Sequence, residues 1–293
     1  MKMILLCSDL DRTLIPNGAE VESSQARPLF AGLASHPQLR LAYVSGRDKN
    51  LVKAAIADFK LPEPDFVIGD VGTTLYHVDG SQWHMNQEWQ REIGNDWHGH
   101  GHADITALLA DMEGNDLELQ PPEKQNRYKA SYFTDPSIDP RKLKQQISDV
   151  LEDHDIATHI IWSRDDAEQR GLLDILPRRA NKLQAIRFLM ADKAFEESNT
   201  VFAGDSGNDL DVLVSGLQAI LVHNAAEDVR QTAIHRLAEA GNNDRLYLAK
   251  GVFKGMNGNY AAGVLEGLAH FFPATADWIS PETENGIIID HAE

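Results

Sequence analysis

A single cysteine, Cys7, excludes a disulfide within this chain. It lies inside an apolar run and reads as a small buried residue. No stretch is long and uncharged enough to cross a bilayer, which argues against a membrane-embedded protein. Basic residues are scarce, 27 against 45 acidic ones, for a formal net charge of −18. No basic stripe stands out, so a nucleic-acid partner is not expected. The acidity also opposes an anionic ligand at long range, although salt screens that field within about 10 Å. Binding an anion must therefore depend on local cations. Internal repeats and low-complexity segments are absent. Met1-Lys2 leads straight into an apolar strand, with neither a separate apolar segment nor a cleavage site, so a cytoplasmic protein is expected.

What is present suffices for two compact units: 293 residues, 42% of them apolar. Three β-rich apolar runs, at 3–7, 41–44 and 201–203, read as strands buried on both faces of a parallel sheet. Alternating strands and helices continue to about residue 76, with a helix over 51–59 and a strand over 65–69. Composition then shifts to Trp, His, Asn and Gln over 81–101, with helical spacing around Trp89. Next come a helix (103–112), strands (117–119 and 129–133), a helix (140–153) and strands (159–162 and 172–176). That order predicts a small α/β unit with a mostly antiparallel sheet. Beyond Pro177 the first pattern resumes: helix 182–190, strand 200–203, a helix from Asp209, strand 219–222 and a last helix over 260–271. The expected fold is α/β. A Rossmann-like doubly wound parallel sheet core (1–80 and 175–293) is interrupted by an inserted smaller α/β cap domain (81–174). An insert there falls over the carboxyl edge of the sheet, where a lid excludes water and reads the unreactive part of a substrate.

Polar residues follow three of those strands directly, where open α/β sheets bind ligands. Asp9 and Asp11 alternate along the strand end and point roughly the same way. One carboxylate suits attack on phosphorus, the other proton traffic on the leaving and incoming oxygens. Their repulsion favours a shared proton or cation. Asp205 and Asp209, in Gly204-Asp205-Ser206-Gly207-Asn208-Asp209, add oxygen ligands of the kind Mg²⁺ prefers. Ser45 brings a hydrogen-bond donor and Lys182 a positive charge, and the backbone N–H groups of 10–13 can cradle a phosphate. Gly46 and Gly207 allow close backbone approach. A lone Asp-x-Asp is ordinarily a turn, and a lone first-turn lysine is ordinarily solvated. Four such pieces in order at strand ends make phosphoryl transfer the better reading.

These pieces resemble the four motifs of the haloacid dehalogenase-like superfamily. Within it the chain is similar to the sucrose-phosphate phosphatase family, which carries a large α/β cap. The phrases are Ser8-Asp9-Leu10-Asp11-Arg12-Thr13, Tyr43-Val44-Ser45-Gly46-Arg47, Leu173-Asp174-Ile175-Leu176-Pro177 with Asn181-Lys182, 204–209, and Gly263-Val264-Leu265-Glu266-Gly267-Leu268. The resemblance covers most of the chain. It implies Asp9 as nucleophile and Asp11 as the acid and base. It implies Mg²⁺ on Asp9, the carbonyl of Asp11, Asp205 and Asp209. Thr13, Ser45, Gly46, Lys182 and Asn208 would hold or orient the phosphate and metal shell. The implied activity is hydrolysis of a sugar phosphate, foremost sucrose 6-phosphate, with mannosylfructose phosphate and glucosylglycerol phosphate as rivals. A mutase fits less well, since it must keep water from an aspartyl-phosphate. A non-catalytic partner of sucrose-phosphate synthase is the rival of another class, although such modules often lose a carboxylate.

Toward the cap, Arg47, Asn126 and Lys129 are candidates for sugar contact, with ordinary strand-end polarity an equal reading for the last two. The segment 163–171 is longer and more charged than the family's usual loop. His98, His100 and His102 alternate with glycines, which suggests a flexible loop more than a metal site. Trp83, Trp89, Trp97 and Trp162 suit cap packing, with one or two left for a sugar face.

Overall fold

The computed structural model describes residues 2–112, 116–165 and 168–278. Asp166 and Ala167 of the charged segment, and the tail beyond Trp278, lie outside the described residues. In chain order the strands are β1 (Ile4–Ser8), β2 (Leu39–Val44), β3 (Phe66–Gly69), β4 (Thr74–Asp79), β5 (Gln82–Met85), β6 (Glu118–Leu119), β7 (Ala130–Thr134), β8 (Thr158–Asp165), β9 (Arg170–Pro177), β10 (Thr200–Gly204), β11 (Gln218–Leu221) and β12 (Leu246–Leu248). Among the described residues, two compact units result. One comprises 1–42, 55–64 and 195–293, the other 43–54 and 65–194.

In the first unit β1 pairs with β10, β10 with β11 and β11 with β12, all parallel. Leu6 lies opposite Val201, and Phe202 opposite Ala219. Every residue of β1 and β10 is buried, as a sheet covered on both faces requires. Helix Ala26–Ala34 turns Leu29, Phe30 and Leu33 inward. Helix Ala261–Phe271 is buried from Ala261 through Leu268 and contacts β11. Gly267 permits that approach, because a Cβ there would fall 2.5 Å from Ile220 Cγ1. Helix Glu227–Ala240 was not foreseen. Only Val229, Ala233 and Leu237 face inward, a stripe too narrow to stand out in the sequence.

In the second unit β3, β4 and β5 pair antiparallel. The β4–β5 hairpin falls in the polar stretch because His77, Asp79, Gln82 and His84 face solvent, while Tyr76, Val78 and Trp83 are buried. A second sheet has the order β6-β7-β9-β8, antiparallel throughout, in agreement with the sequence pattern. Helix Pro140–Glu152 contacts β8 and buries Leu143, Ile147 and Leu151, one residue per turn. Asp139 caps it by accepting the N–H groups of Arg141 and Lys142, with Pro140 at the first helical position. Asn86 caps helix Gln87–Gly94 in the same way.

Candidate active site

β1 ends at Ser8, and the next residue carries the first carboxylate. The Asp9 backbone N–H donates to the carbonyl of Ala203 at 2.9 Å, a ladder bond that fixes this strand end beside that of β10. The chain then coils tightly: the N–H groups of Thr13, Leu14 and Ile15 all donate to the carbonyl of Leu10. β10 delivers Asp205 and Asp209 from its own end. Asp209 is fully buried, and its Oδ2 accepts from the backbone N–H groups of Asp205 and Ser206, both at 3.2 Å, and from Ser206 Oγ at 3.1 Å. Those bonds tie the whole turn to one charged side chain. Thr13 Oγ1 donates to Asp205 Oδ1 at 3.3 Å, and Arg12 Nε approaches Asp205 Oδ2, also at 3.3 Å.

One oxygen each from Asp9, Asp205 and Asp209 lies within 4.8 Å of the others, and all three residues are buried. Three carboxylates held that close repel strongly unless a proton or cation offsets them. The donors are hard oxygens only, which suits a small divalent cation. Asp11 contributes no carboxylate oxygen to this group; its Oδ1 accepts from Asn17 Nδ2 at 2.7 Å. Asn208 is exposed, and its Oδ1 accepts from Ser206 Oγ at 2.9 Å.

The second unit carries Ser45, Gly46, Arg47 and Lys182. Ser45 is buried, its N–H donates to the carbonyl of Ile68 at 2.8 Å, and its Oγ accepts from the Arg47 N–H at 3.2 Å. Gly46 is exposed. After β3 the backbone turns through three successive positive φ values, Asp70 (49°), Val71 (61°) and Gly72 (101°). This turn bonds to the Ser45 loop, since the Val71 N–H donates to the carbonyl of Ser45 and the Asp70 N–H to that of Arg47. It also packs on Asn181, where a Cβ on Gly72 would lie 2.5 Å from the carbonyl carbon. Asn181 caps helix Lys182–Asp192 by accepting from the Gln184 N–H at 2.9 Å, and Lys182 is its buried first residue. Ser45 and Lys182 are thus joined through one strained turn. The indole of Trp89 braces that turn by donating to the carbonyl of Gly72 at 2.9 Å.

Beside the turn lies a charged group, with Asp70 and Lys129 buried and Asp174 half-buried, that sequence reasoning only half found. Lys129 Nζ stands 3.8 Å from Asp70 Oδ1 and 3.9 Å from Asp174 Oδ1. Thr74 Oγ1 donates to Asp70 at 3.2 Å, and Ser131 Oγ donates to Asp174. Burial raises the Asp70 pKa, and the Lys129 charge opposes that rise. Asp70 could have been flagged as an acid placed directly after a predicted strand. Asp174 lies in the 173–177 motif, whose residue types alone give it no role. Asn126 Nδ2 donates to Thr73 Oγ1 at 2.8 Å, and its Oδ1 accepts from the Tyr128 N–H, so both ends of its amide are engaged within the unit.

The three alternating histidines form no ligand group of three among the described residues. Burial lowers the His102 pKa, and His100 Nδ1 sits 3.8 Å from Asp104. Trp83, Trp89 and Trp97 are buried, and Trp162 Nε1 donates to Thr134 Oγ1 at 3.0 Å. No helix among the described residues is long and apolar enough to cross a membrane.

The chain is also similar to known proteins. The family model for sucrose-6F-phosphate phosphohydrolase matches residues 2–272. A HAD-like hydrolase of Nitrosococcus oceani is 56% identical over 281 residues, 96% of this chain and 75% of that protein. Mannosylfructose-phosphate phosphatase of Agrobacterium fabrum is 26% identical over 91% of this chain and 96% of its own length. Among solved structures, the sucrose-phosphatase of Synechocystis sp. PCC6803 in complex with sucrose and phosphate is similar with a TM-score of 0.69. It is 28% identical and covers 92% of this chain and 98% of that one. The chain belongs to the sucrose-6F-phosphate phosphohydrolase family, the sugar-phosphate phosphatases of haloacid dehalogenase-like type.

Proposed function

We propose that this family member is a Mg²⁺-dependent phosphatase that hydrolyses sucrose 6-phosphate through an aspartyl-phosphate on Asp9. The observation that carries the proposal is the convergence of Asp9, Asp205 and Asp209 at two adjacent strand ends, with an oxygen-only donor set. Asp9, Asp205 and Asp209, with the backbone carbonyl of Asp11, would hold the ion. When bound, it would neutralise charge on the phosphoryl oxygens.

The residues of the chain carry the remaining steps. A carboxylate oxygen of Asp9 attacks phosphorus as the bond from phosphorus to the sugar oxygen breaks. Asp11 gives its proton to that departing oxygen, then takes one from a water whose oxygen attacks the same phosphorus. Phosphate leaves and Asp9 regains its carboxylate. Ser45, Gly46, Lys182, Thr13 and Asn208 hold the phosphate and orient the carboxylates. Arg47, Asn126 and Lys129 are assigned to the sugar. Of these, Lys129 has the better support, because its ammonium lies between two carboxylates that can share hydroxyl recognition. The core at 1–80 and 175–293 and the cap at 81–174 remain the proposed division of labour between chemistry and specificity. The mannosylfructose-phosphate enzyme matches nearly end to end, which makes that disaccharide phosphate the second reading.

The test is phosphate release from a panel of phosphorylated disaccharides, glucosylglycerol phosphate and monosaccharide phosphates, with Mg²⁺ and with EDTA. Sucrose 6-phosphate should give the highest kcat/KM, and EDTA should abolish turnover. Asp9→Asn should bind substrate normally and release phosphate at least about 10³-fold more slowly. Equal rates across the panel would remove the sucrose assignment, and near-normal turnover by Asp9→Asn would remove the nucleophile.

A further inference from the structure

The slot between Asp11 and Thr13 has φ of 57°, a left-handed conformation that glycine adopts without strain. The chain puts an arginine there. Strain retained beside a cluster of carboxylates is a reason to ask what the side chain does.

Arg12 is held at both its backbone and its guanidinium. Its N–H donates to Asn17 Oδ1 at 2.8 Å and to the carbonyl of Ile15 at 3.1 Å. Its carbonyl accepts from Asn224 Nδ2 at 2.7 Å. The guanidinium returns to the same asparagine, with Nη2 donating to the Asn224 carbonyl at 3.3 Å. Asn224 is buried, and its Oδ1 accepts from the Tyr260 N–H at 2.8 Å. Tyr260 Oη in turn donates to Glu20, whose Oε1 lies 3.6 Å from Arg12 Nη2. Segments from three places in the chain thus fix one cation, and Arg12 Nε points at Asp205 Oδ2 from 3.3 Å. Thr13 occupies the other oxygen of the same carboxylate. A neutral donor alone would have oriented Asp205. The guanidinium adds charge.

We propose that Arg12 is a built-in counter-ion: a positioning residue that offsets the mutual repulsion of three converged carboxylates before the metal arrives, and that weakens metal binding in return. The proposal rests on the metal reading of Asp9, Asp205 and Asp209 given above. A fixed positive charge beside one ligand repels a divalent ion, and partial exposure of the side chain moderates the repulsion. Removing the cation should therefore tighten the site while destabilising its empty form. Glycine at this position is an informative variant, because it relieves the backbone strain and still removes the charge.

The experiment is calorimetric titration of Mg²⁺ into the substrate-free full chain, wild type against Arg12→Gln, Arg12→Gly and Arg12→Lys, with the Tm of each in EDTA. Gln and Gly should both lower the Mg²⁺ Kd, by about three- to tenfold, with a larger Mg²⁺-induced rise in Tm than the wild type. Lys should restore a Kd near that of the wild type. Gln should also lower the Tm in EDTA. An unchanged or weaker affinity in Gln and Gly overturns the proposal, as does tightening in Lys equal to that in Gln. Loss of inorganic phosphate binding with an unchanged Mg²⁺ Kd would make Arg12 a phosphate ligand and likewise overturn it. If the wild type binds no Mg²⁺, the metal reading itself fails and takes this proposal with it.

Discussion

Replacing Gly72 by alanine tests whether the strained turn after β3 sets the position of Lys182. A Cβ at 72 would meet three backbone atoms of Asn181, at 2.5, 2.8 and 2.9 Å. Carbon atoms rest about 3.5–4.0 Å apart, so the turn and the helix start must separate by about 1 Å. Overpacking of that kind costs about 1–3 kcal/mol. The residue also keeps φ of 101°, and left-handed backbone adds about 1–2 kcal/mol for a non-glycine residue. Together these give about 2–5 kcal/mol. At about 2–4 °C per kcal/mol for a domain of this size, Tm should fall by roughly 4–20 °C. Gly80→Ala is the matched control: φ is 54°, and nothing lies within 4 Å of its Cβ position. It should carry only the backbone term. Because Asn181 caps the helix whose first residue is Lys182, a shift of about 1 Å should also reduce kcat/KM about 10²-fold in Gly72→Ala. The assay is thermal unfolding of both variants alongside steady-state kinetics. Equal Tm losses and unaltered kcat/KM in Gly72→Ala would refute the claim that this contact places the lysine.

Two further outcomes follow from buried carboxylates. The Asp70 pKa is raised above 3.8 chiefly by burial, so the folded state holds its proton more tightly than the unfolded state. Its contribution therefore favours folding at low pH and is lost as pH rises from the unfolded value through the raised one. Asp70→Asn should flatten that loss, measured by urea denaturation on either side of the transition, and an unchanged slope would contradict the assignment. Glu266 is buried and accepts from Tyr247 Oη at 2.8 Å and from the backbone N–H groups of Lys250, Gly251 and Val252. Burial, then the Glu266 hydrogen bond and charge, push the Tyr247 pKa up to about 12. Glu266→Ala strands those donors and should destabilise by about 3–5 kcal/mol. A drop in the guanidinium chloride midpoint too small for 1 kcal/mol, at about the wild-type m-value, would show that water replaces the carboxylate.

The carboxylate site was legible because its residues sit at the ends of continuously apolar strands, which announce both sheet and register of exit. Asp9 and Asp205 needed only that β1 and β10 be neighbours, and the apolar runs at 3–7 and 201–203 invite such a pairing. The β4–β5 hairpin was hard to see because its solvent face carries His and Gln where strand formers are expected. Helix Glu227–Ala240 hid for the opposite reason, an apolar stripe one residue wide. The Arg12–Asp205 and Asp70–Lys129 pairs were harder to read because they depend on left-handed turns at residues 12 and 70. No composition rule assigns a left-handed φ to arginine or aspartate.

That last point joins the two halves of the chemistry. Several non-glycine residues with positive φ follow helices, such as Lys60 after the helix ending at Phe59, where a left-handed residue is an ordinary stop. Arg12, Asp70 and Val71 follow strands and have no such excuse. Tyr260 is stranger still, with φ of 51° and ψ of −133° at the start of a buried helix. Each is fixed by hydrogen bonds from more than one segment: Arg12 by Asn17 and Asn224, the Asp70–Gly72 turn by the Ser45 loop and Trp89, and Tyr260 by Asn224 and Glu20. A chain with net charge −18 must place its few useful cations accurately, because the surrounding field does not deliver an anion for it. Arg12 is itself one of these strained points, Lys129 pairs with another at Asp70, and Lys182 follows the residue against which Gly72 packs. The strained turns are best understood as what fixes the positions of these three cations.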